Sequence, residues 1–192
     1  MSKRIALFSA AALGALALTA TVIAPVSAQD KMKSEMSGEK TVMVGGAAMF
    51  PSKNIVQNAV NSKDHTTLVA AVKAAGLVDT LESKGPFTVF APTNAAFGKL
   101  PAGTVDTLVK PENKATLTKI LTYHVVAGKL EASDLTDGKK LKTVQGEELT
   151  VKRSGDTVMI IDAKGGSSTV TIPNVNQSNG VIHVVDTVLM PS

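Results

Sequence analysis

The chain contains no cysteine and no tryptophan, and it has one tyrosine and five phenylalanines in 192 residues. The missing cysteine removes disulfides, thiolate metal sites, thiol catalysis and redox switching together. Stability must then rest on packing and hydrogen bonds. Charge of one sign is also scarce. The formal excess is +4, and two of those cations, Lys3 and Arg4, stand at the extreme N-terminus; without them it is +2. So balanced a surface gives nucleic-acid binding no electrostatic footprint. Catalytic signatures are absent too, with no G-x-S-x-G elbow, no Walker loop and no glycine fingerprint after a strand. Ser-His-Asp triads are spatial rather than sequential, but nothing in the sequence motivates one. No catalytic residue is assigned.

One long apolar run exists. Ile5 to Ala24 follows the two N-terminal cations, and Pro25-Val26-Ser27-Ala28 places small or compact residues before Gln29. This pattern reads as a secretory signal peptide over residues 1–28, cleaved after Ala28. The expected destination is the periplasm or the extracellular space. No later segment could span a bilayer, so no membrane insertion is expected after cleavage. Residues 29–42 read as a flexible polar leader rich in Lys, Ser, Glu and Met. Residues 43–192 are then one domain's worth of chain, large enough for a real core.

Within that domain the helical period comes first. Thr41 to Val44 is a short strand before Gly45-Gly46. Ile55, Val56, Ala59 and Val60 then form one apolar stripe, and Leu68, Ala71, Val72 and Ala75 a second, with Asp64 as its cap and Gly76 as its stop. Leu77, Val78 and Leu81 suggest a further short helix. After a strand at Phe87 to Ala91, Thr104 is read as the cap of Val105 to Val109. Pro111 opens a segment with Leu117, Ile120, Leu121 and His124 on one face. Beyond Gly128 the character changes to short β-prone runs: 141–145, 148–153, 157–162, 168–172 and 181–189. The turn chemistry between them includes Gly146-Glu147, Lys164-Gly165-Gly166 and Asn176 to Gly180. Helices first and strands later argue for an α+β domain.

The stretch "GPFTVFAPTNAAFGKL", Gly85 to Leu100, joins the two halves. It is read as a strand carrying Phe87 and Phe90 on one face, ended by Pro92, which cannot donate to a central ladder. Thr93 or Asn94 caps a short helix whose Ala95 and Ala96 permit close approach, and Phe97 returns to the core. The corner is a packing device.

These residues resemble the fasciclin domain family. The similarity lies in "TVFAPTNAAF" (Thr88 to Phe97), "LTYHVVAGKL" (Leu121 to Leu130) and "NGVIHVVDTVLMP" (Asn179 to Pro191), in that order, and runs from about Met43 to Pro191. The resemblance implies a fasciclin-like β-sandwich or wedge of about seven short strands with several α-helices on one side. It also implies a secreted, non-enzymatic module of adhesion or surface-interaction type. Its partner would be a protein or polysaccharide of the cell surface or matrix, and no cofactor is implied. The chain is expected to act as a monomer. It holds one such domain where animal relatives carry several, and so lacks the avidity of tandem copies.

Each tempting site has a plainer reading beside it. Tyr123 and His124 sit where the family is linked to receptor recognition, yet His124 is in register with Leu117, Ile120 and Leu121 and should point inward. Asn94 and Asp186 are expected to satisfy backbone donors at corners. Phe90, Pro92, Thr93, Asn94, Phe97, His183 and Asp186 are therefore read as structural. In the closing strand, Ile182, Val184 and Val188 share a face with Asp186, and Val181, His183, Val185 and Leu189 share the other. Both faces look at least partly buried. His65, His124 and His183 lack metal-ligand spacing, so no metal is assigned. Two rival functions stay open: an apolar cleft carrying a small molecule or lipid, and periplasmic Cu(I) binding by Met32, Met36, Met43 and Met49.

Overall fold

The structure, a computed structural model, describes residues 40–192. The expected signal peptide and nearly all of the polar leader, with Met32 and Met36, lie outside the described residues. The first elements are a hairpin, β1 (Val42–Val44) and β2 (Ala47–Met49), turning on Gly45 and Gly46, both at positive φ. Three helices follow: α1 (Ile55–Ala59), α2 (Thr66–Ala75) and α3 (Val78–Glu82). Strand β3 (Phe87–Pro92) leads into α4 (Asn94–Gly98), α5 (Thr104–Leu108) and α6 (Lys114–Tyr123). The rest is sheet: β4 (Val125–Ala127), β5 (Lys140–Lys142), β6 (Glu148–Ser154), β7 (Thr157–Ile161), β8 (Ser167–Gln177) and β9 (Gly180–Val185).

Strands β3 to β9 form one seven-stranded sheet in the order β4-β3-β9-β8-β7-β6-β5. Strands β3 and β9 pair in parallel and every other pair is antiparallel. The two edges, β4 and β5, meet at a single bridge between Val126 and Thr143. The sheet is thus curled nearly into a barrel, with six α-helices among the described residues packed alongside. This is the mixed α+β architecture the sequence implies. Close approach at the parallel pair depends on Gly180, because a Cβ there would run into the Phe87 carbonyl.

Alternation along β3 and β9 divides the interior in two. Val89, Ala91, Ile182 and Val184 face the helices and join Leu68, Val72, Phe97, Leu117 and Leu121. Phe90 and Val185 face the barrel and join Tyr123, Leu135, Leu149, Val151 and Ile160. Phe87 packs against the helix-side core and Phe90 lies in the barrel core, so the two aromatics do not share a face. Their spacing of three puts them on opposite sides of a pleated strand. Phe97 closes the helix-side core, 6% exposed. Every residue of β9 is buried, and both of its faces pack.

Other local expectations shift. Strands β2 and β4 are additional, each only three residues long and lacking a periodic signal. Strand β8 runs through Pro173 to Gln177, taking in residues read as a turn, and accommodates them with register shifts and Asn174 at φ 57°. Strand β9 ends at Val185, four residues before Leu189. Asp64 lies in a 3-10 turn (Lys63–His65) ahead of α2 and does not cap it. Thr104 is the first residue of α5, and Gly103 holds the cap position. Val60 is exposed, and the third buried residue of α1 is Asn58. Gly76 ends α2 in the left-handed conformation, as its position predicts.

Candidate functional site

Helix α6 delivers Tyr123 and His124 into the interior at its C-terminal end. Tyr123 is fully buried. Its hydroxyl accepts from the Ala163 amide at 2.8 Å and donates to the Glu148 carbonyl at 3.4 Å. Burial pushes the phenol upward, with the Ala163 amide opposing. His124 is 2% exposed. Its Nδ1 donates to the Ile120 carbonyl at 2.9 Å, and its Nε2 accepts from the Leu189 amide at 2.9 Å. Those two bonds fix the neutral Nδ1–H tautomer. Burial lowers the ring to about 4, against weaker opposing pulls from the Ile120 carbonyl and Asp162. His124 therefore ties helix α6 to the segment after β9 and has no free nitrogen for a ligand.

The other motif residues are similarly occupied. His183 stacks on Phe90, with centroids 5.7 Å apart and planes at 26°. It donates from Nε2 to the Leu130 carbonyl at 2.7 Å, and burial lowers its pKa. Thr93 caps α4, its Oγ1 accepting from the Ala96 amide. Asn94 reaches away from its own helix: Oδ1 accepts from the Thr67 amide at 3.0 Å, and Nδ2 donates to the Lys63 carbonyl at 2.8 Å. It caps α2 from outside, a role Asp64 does not fill. Pro92 is the last residue of β3, buried where the strand turns into α4. Asp186 Oδ1 accepts from the Thr169 amide at 2.8 Å and from the Thr187 hydroxyl. Partial burial would raise this carboxyl, but those bonds and Lys99 at 3.4 Å hold it below its usual value.

Two polar anchors, Asn58 buried and Asn179 half-buried, carry no advance signal. Asn58 bonds both backbone groups of Phe50 and pairs with Gln177. Asn179 accepts from the Ile55 amide and donates to the Leu81 and Ser83 carbonyls, pinning α1 and α3 to the β8–β9 turn. Both read as ordinary polar residues in sequence, because their partners lie up to 124 positions away.

Between the helices and the sheet lies an apolar cavity of about 50 Å3, bounded by Val56, Leu68, Val72, Leu81 and Val89. His65 also lines it. Its Nδ1 meets the Ser62 hydroxyl at 2.9 Å, and its Nε2 has no hydrogen-bond partner among the described residues. Ligand pockets run to roughly 300–1,000 Å3. This void admits no lipid unless the helices separate. Met43 is exposed while Met49 is 2% exposed within the helix-side core, so these two thioethers share no surface. Among the described residues no three of His, Cys, Asp or Glu are grouped to hold a metal ion, and no helix is long and apolar enough to cross a membrane.

Two open depressions remain. One, of about 470 Å3, lies beside the β8–β9 turn, with the polar residues Asn54, Gln57, Glu82, Lys84 and Ser178 on its walls. The other, of about 420 Å3, follows the seam between β4 and β5 and is edged by Lys139, Lys140 and Lys142.

Comparison with known proteins agrees with this geometry. The profile of the fasciclin domain matches residues 63–191. The chain is 49% identical over 153 residues to protein sll1483 of Synechocystis, covering 80% of this chain and 82% of that one. It is 37% identical to the immunogenic protein MPB70 of Mycobacterium bovis, covering all of this chain and 98% of MPB70. The cell surface glycolipoprotein MPB83 of the same species is 41% identical over 153 residues, covering 77% of this chain and 64% of MPB83. Among solved structures, a domain pair from the insect cell adhesion molecule fasciclin I superposes with a TM-score of 0.65 at 20% identity, covering 73% of this chain and 52% of that one. The three sequence motifs, the curled seven-stranded sheet with its flanking helices and the profile match agree: the chain belongs to the fasciclin domain family.

Proposed function

We infer that this domain is a secreted interaction module that acts by non-covalent contact with a protein or polysaccharide of the cell surface or matrix, and that it makes and breaks no bonds. One observation carries the reading. Tyr123, His124 and His183 are buried and bonded to backbone, and Thr93, Asn94 and Asp186 bond backbone at half-buried corners, so these motif residues build a scaffold and leave recognition to the rest of the exterior. The names of two relatives, a cell surface glycolipoprotein and a cell adhesion molecule, lend support. Tyr123 and His124 act in this reading as internal braces.

A pull-down from envelope material of the native host, using the full chain, tests it. Tyr123→Phe and His124→Gln variants that remain folded should retain the partner. Folded variants that lose it would make the pair a contact site and overturn the assignment. Turnover above blank on a broad esterase and glycosidase panel would overturn the non-enzymatic reading.

A further inference from the structure

The seam is where the barrel fails to close. Val144 donates to the Val125 carbonyl at 2.8 Å and Val126 bridges Thr143, but no further pairing joins β4 to β5. Beyond that point the strands splay around the 420 Å3 groove, floored by Val126, Ala127, Leu130 and Leu141.

Register determines which backbone groups face it. Val151 donates to the Lys139 carbonyl at 2.7 Å, and Thr143 donates to the Glu147 carbonyl at 3.0 Å. Odd-numbered residues of this edge therefore bond to β6. Bonding direction alternates along a strand, so the N–H and C=O of Lys140 and Lys142 point across the seam, away from β6. An extended backbone is the complement of such an edge.

Charge narrows the choice. Lys140 and Lys142 are exposed, and Lys139 borders the same groove. Among the described residues the Lys139 ammonium donates only to a neutral backbone carbonyl, that of Asp134 at 2.7 Å. Lys140 shares its charge with Glu148 at 3.3 Å. Lys142 has no ion-pair partner among the described residues. Two uncompensated cations thus flank an apolar floor.

We propose that the open seam between β4 and β5 binds an extended acidic peptide segment of a partner protein as an added β-strand. The partner's backbone pairs with Lys140 and Lys142, its acidic side chains meet the lysines, and an alternate apolar side chain rests on Val126 and Leu130. An anionic polysaccharide would satisfy the lysines but leave the edge amides unpaired, so the observations favour a peptide. The proposal rests on the reading that the domain acts by binding.

The test uses the full chain labelled with 15N and two capped peptides, acetyl-Glu-Val-Glu-Val-Glu-amide and the same peptide N-methylated on its valines. The unmodified peptide should shift the Lys140, Lys142 and Ala127 amides, and raising the salt should weaken it severalfold. Lys142→Glu should weaken it at least tenfold, whereas the N-methylated peptide should lose binding to the unaltered chain, an arm that needs no variant to fold. Equal binding of both peptides, or tighter binding of an oligogalacturonate, would overturn strand addition in favour of an anionic-surface site. No binding of any probe would also overturn it and leave the lysines as guards against edge-to-edge pairing. If the envelope pull-down succeeds while these probes fail, only this site is lost; if both fail, the binding reading falls too.

Discussion

The two cores on either side of β3 and β9 are built differently. The six largest fully buried side chains, from Tyr123 and Phe90 to Leu189, all lie on the barrel side. The helix-side core has more members, but several remain 5–9% exposed, and it encloses the 50 Å3 cavity. Strands locked by ladders on both flanks bring opposed side chains to fixed distances. Short helices of five residues rest on the sheet through a few side chains and caps, and they tolerate a void. The lesson is that rigidity resides in the curled sheet, with the helices braced onto it by polar clasps such as His124, Asn94 and Asn179.

The largest test of that contrast compares truncations. Leu149→Ala in the barrel core should cost near the upper end of about 2–5 kcal/mol, and Leu68→Ala beside the cavity near the lower end. Urea unfolding of both variants measures the gap, and equal or reversed costs would break the comparison.

Next in size is acid. A ring whose folded pKa lies below its unfolded value near 6.5 takes up its proton more readily in the unfolded chain. Its contribution to stability is complete above pH 6.5 and is lost as pH falls toward the folded value. For His124, at about 4, the loss between those limits is about 3 kcal/mol. His65 and His183, both lowered by burial, act in the same direction. Unfolding free energies at pH 7 and pH 4 should show this loss, and His124→Gln should flatten the acid limb.

Smaller effects come from overpacking. Val151→Ile, in the dense barrel core, should cost about 1–3 kcal/mol, while Val72→Ile, at the cavity wall, should stay within about 1 kcal/mol of neutral. Thermal melts of the pair would sharpen or erase the difference between the two interiors.

How far the sequence carried depended on the range of the interaction. Periodicity located α2 and α6 because ten-residue helices repeat their apolar stripe. It also showed that both faces of β9 are covered. Gly76 was legible because its role is local, and for the same reason the cap of α4 was narrowed to Thr93 or Asn94. By contrast, Asn94, Asn58 and Asn179 serve elements far along the chain, and nothing near them signals that. Phe87 and Phe90 were misplaced through parity: a spacing of three crosses the strand. The inward turn of His124 followed the helical face, whereas the burial of Tyr123 in the barrel core and the groove at the seam depend on how the sheet curls and had no local signal.

The central claim is that His124 is an internal clasp between helix α6 and the segment after β9. NMR of the full chain with 15N-labelled imidazoles, titrated from pH 7.5 to 3.5, addresses it most directly. The account predicts a single Nδ1–H tautomer for His124, titrating at about 4 as the fold loosens. A ring titrating near 6.5 in the folded protein, or one exchanging freely between tautomers, would contradict it.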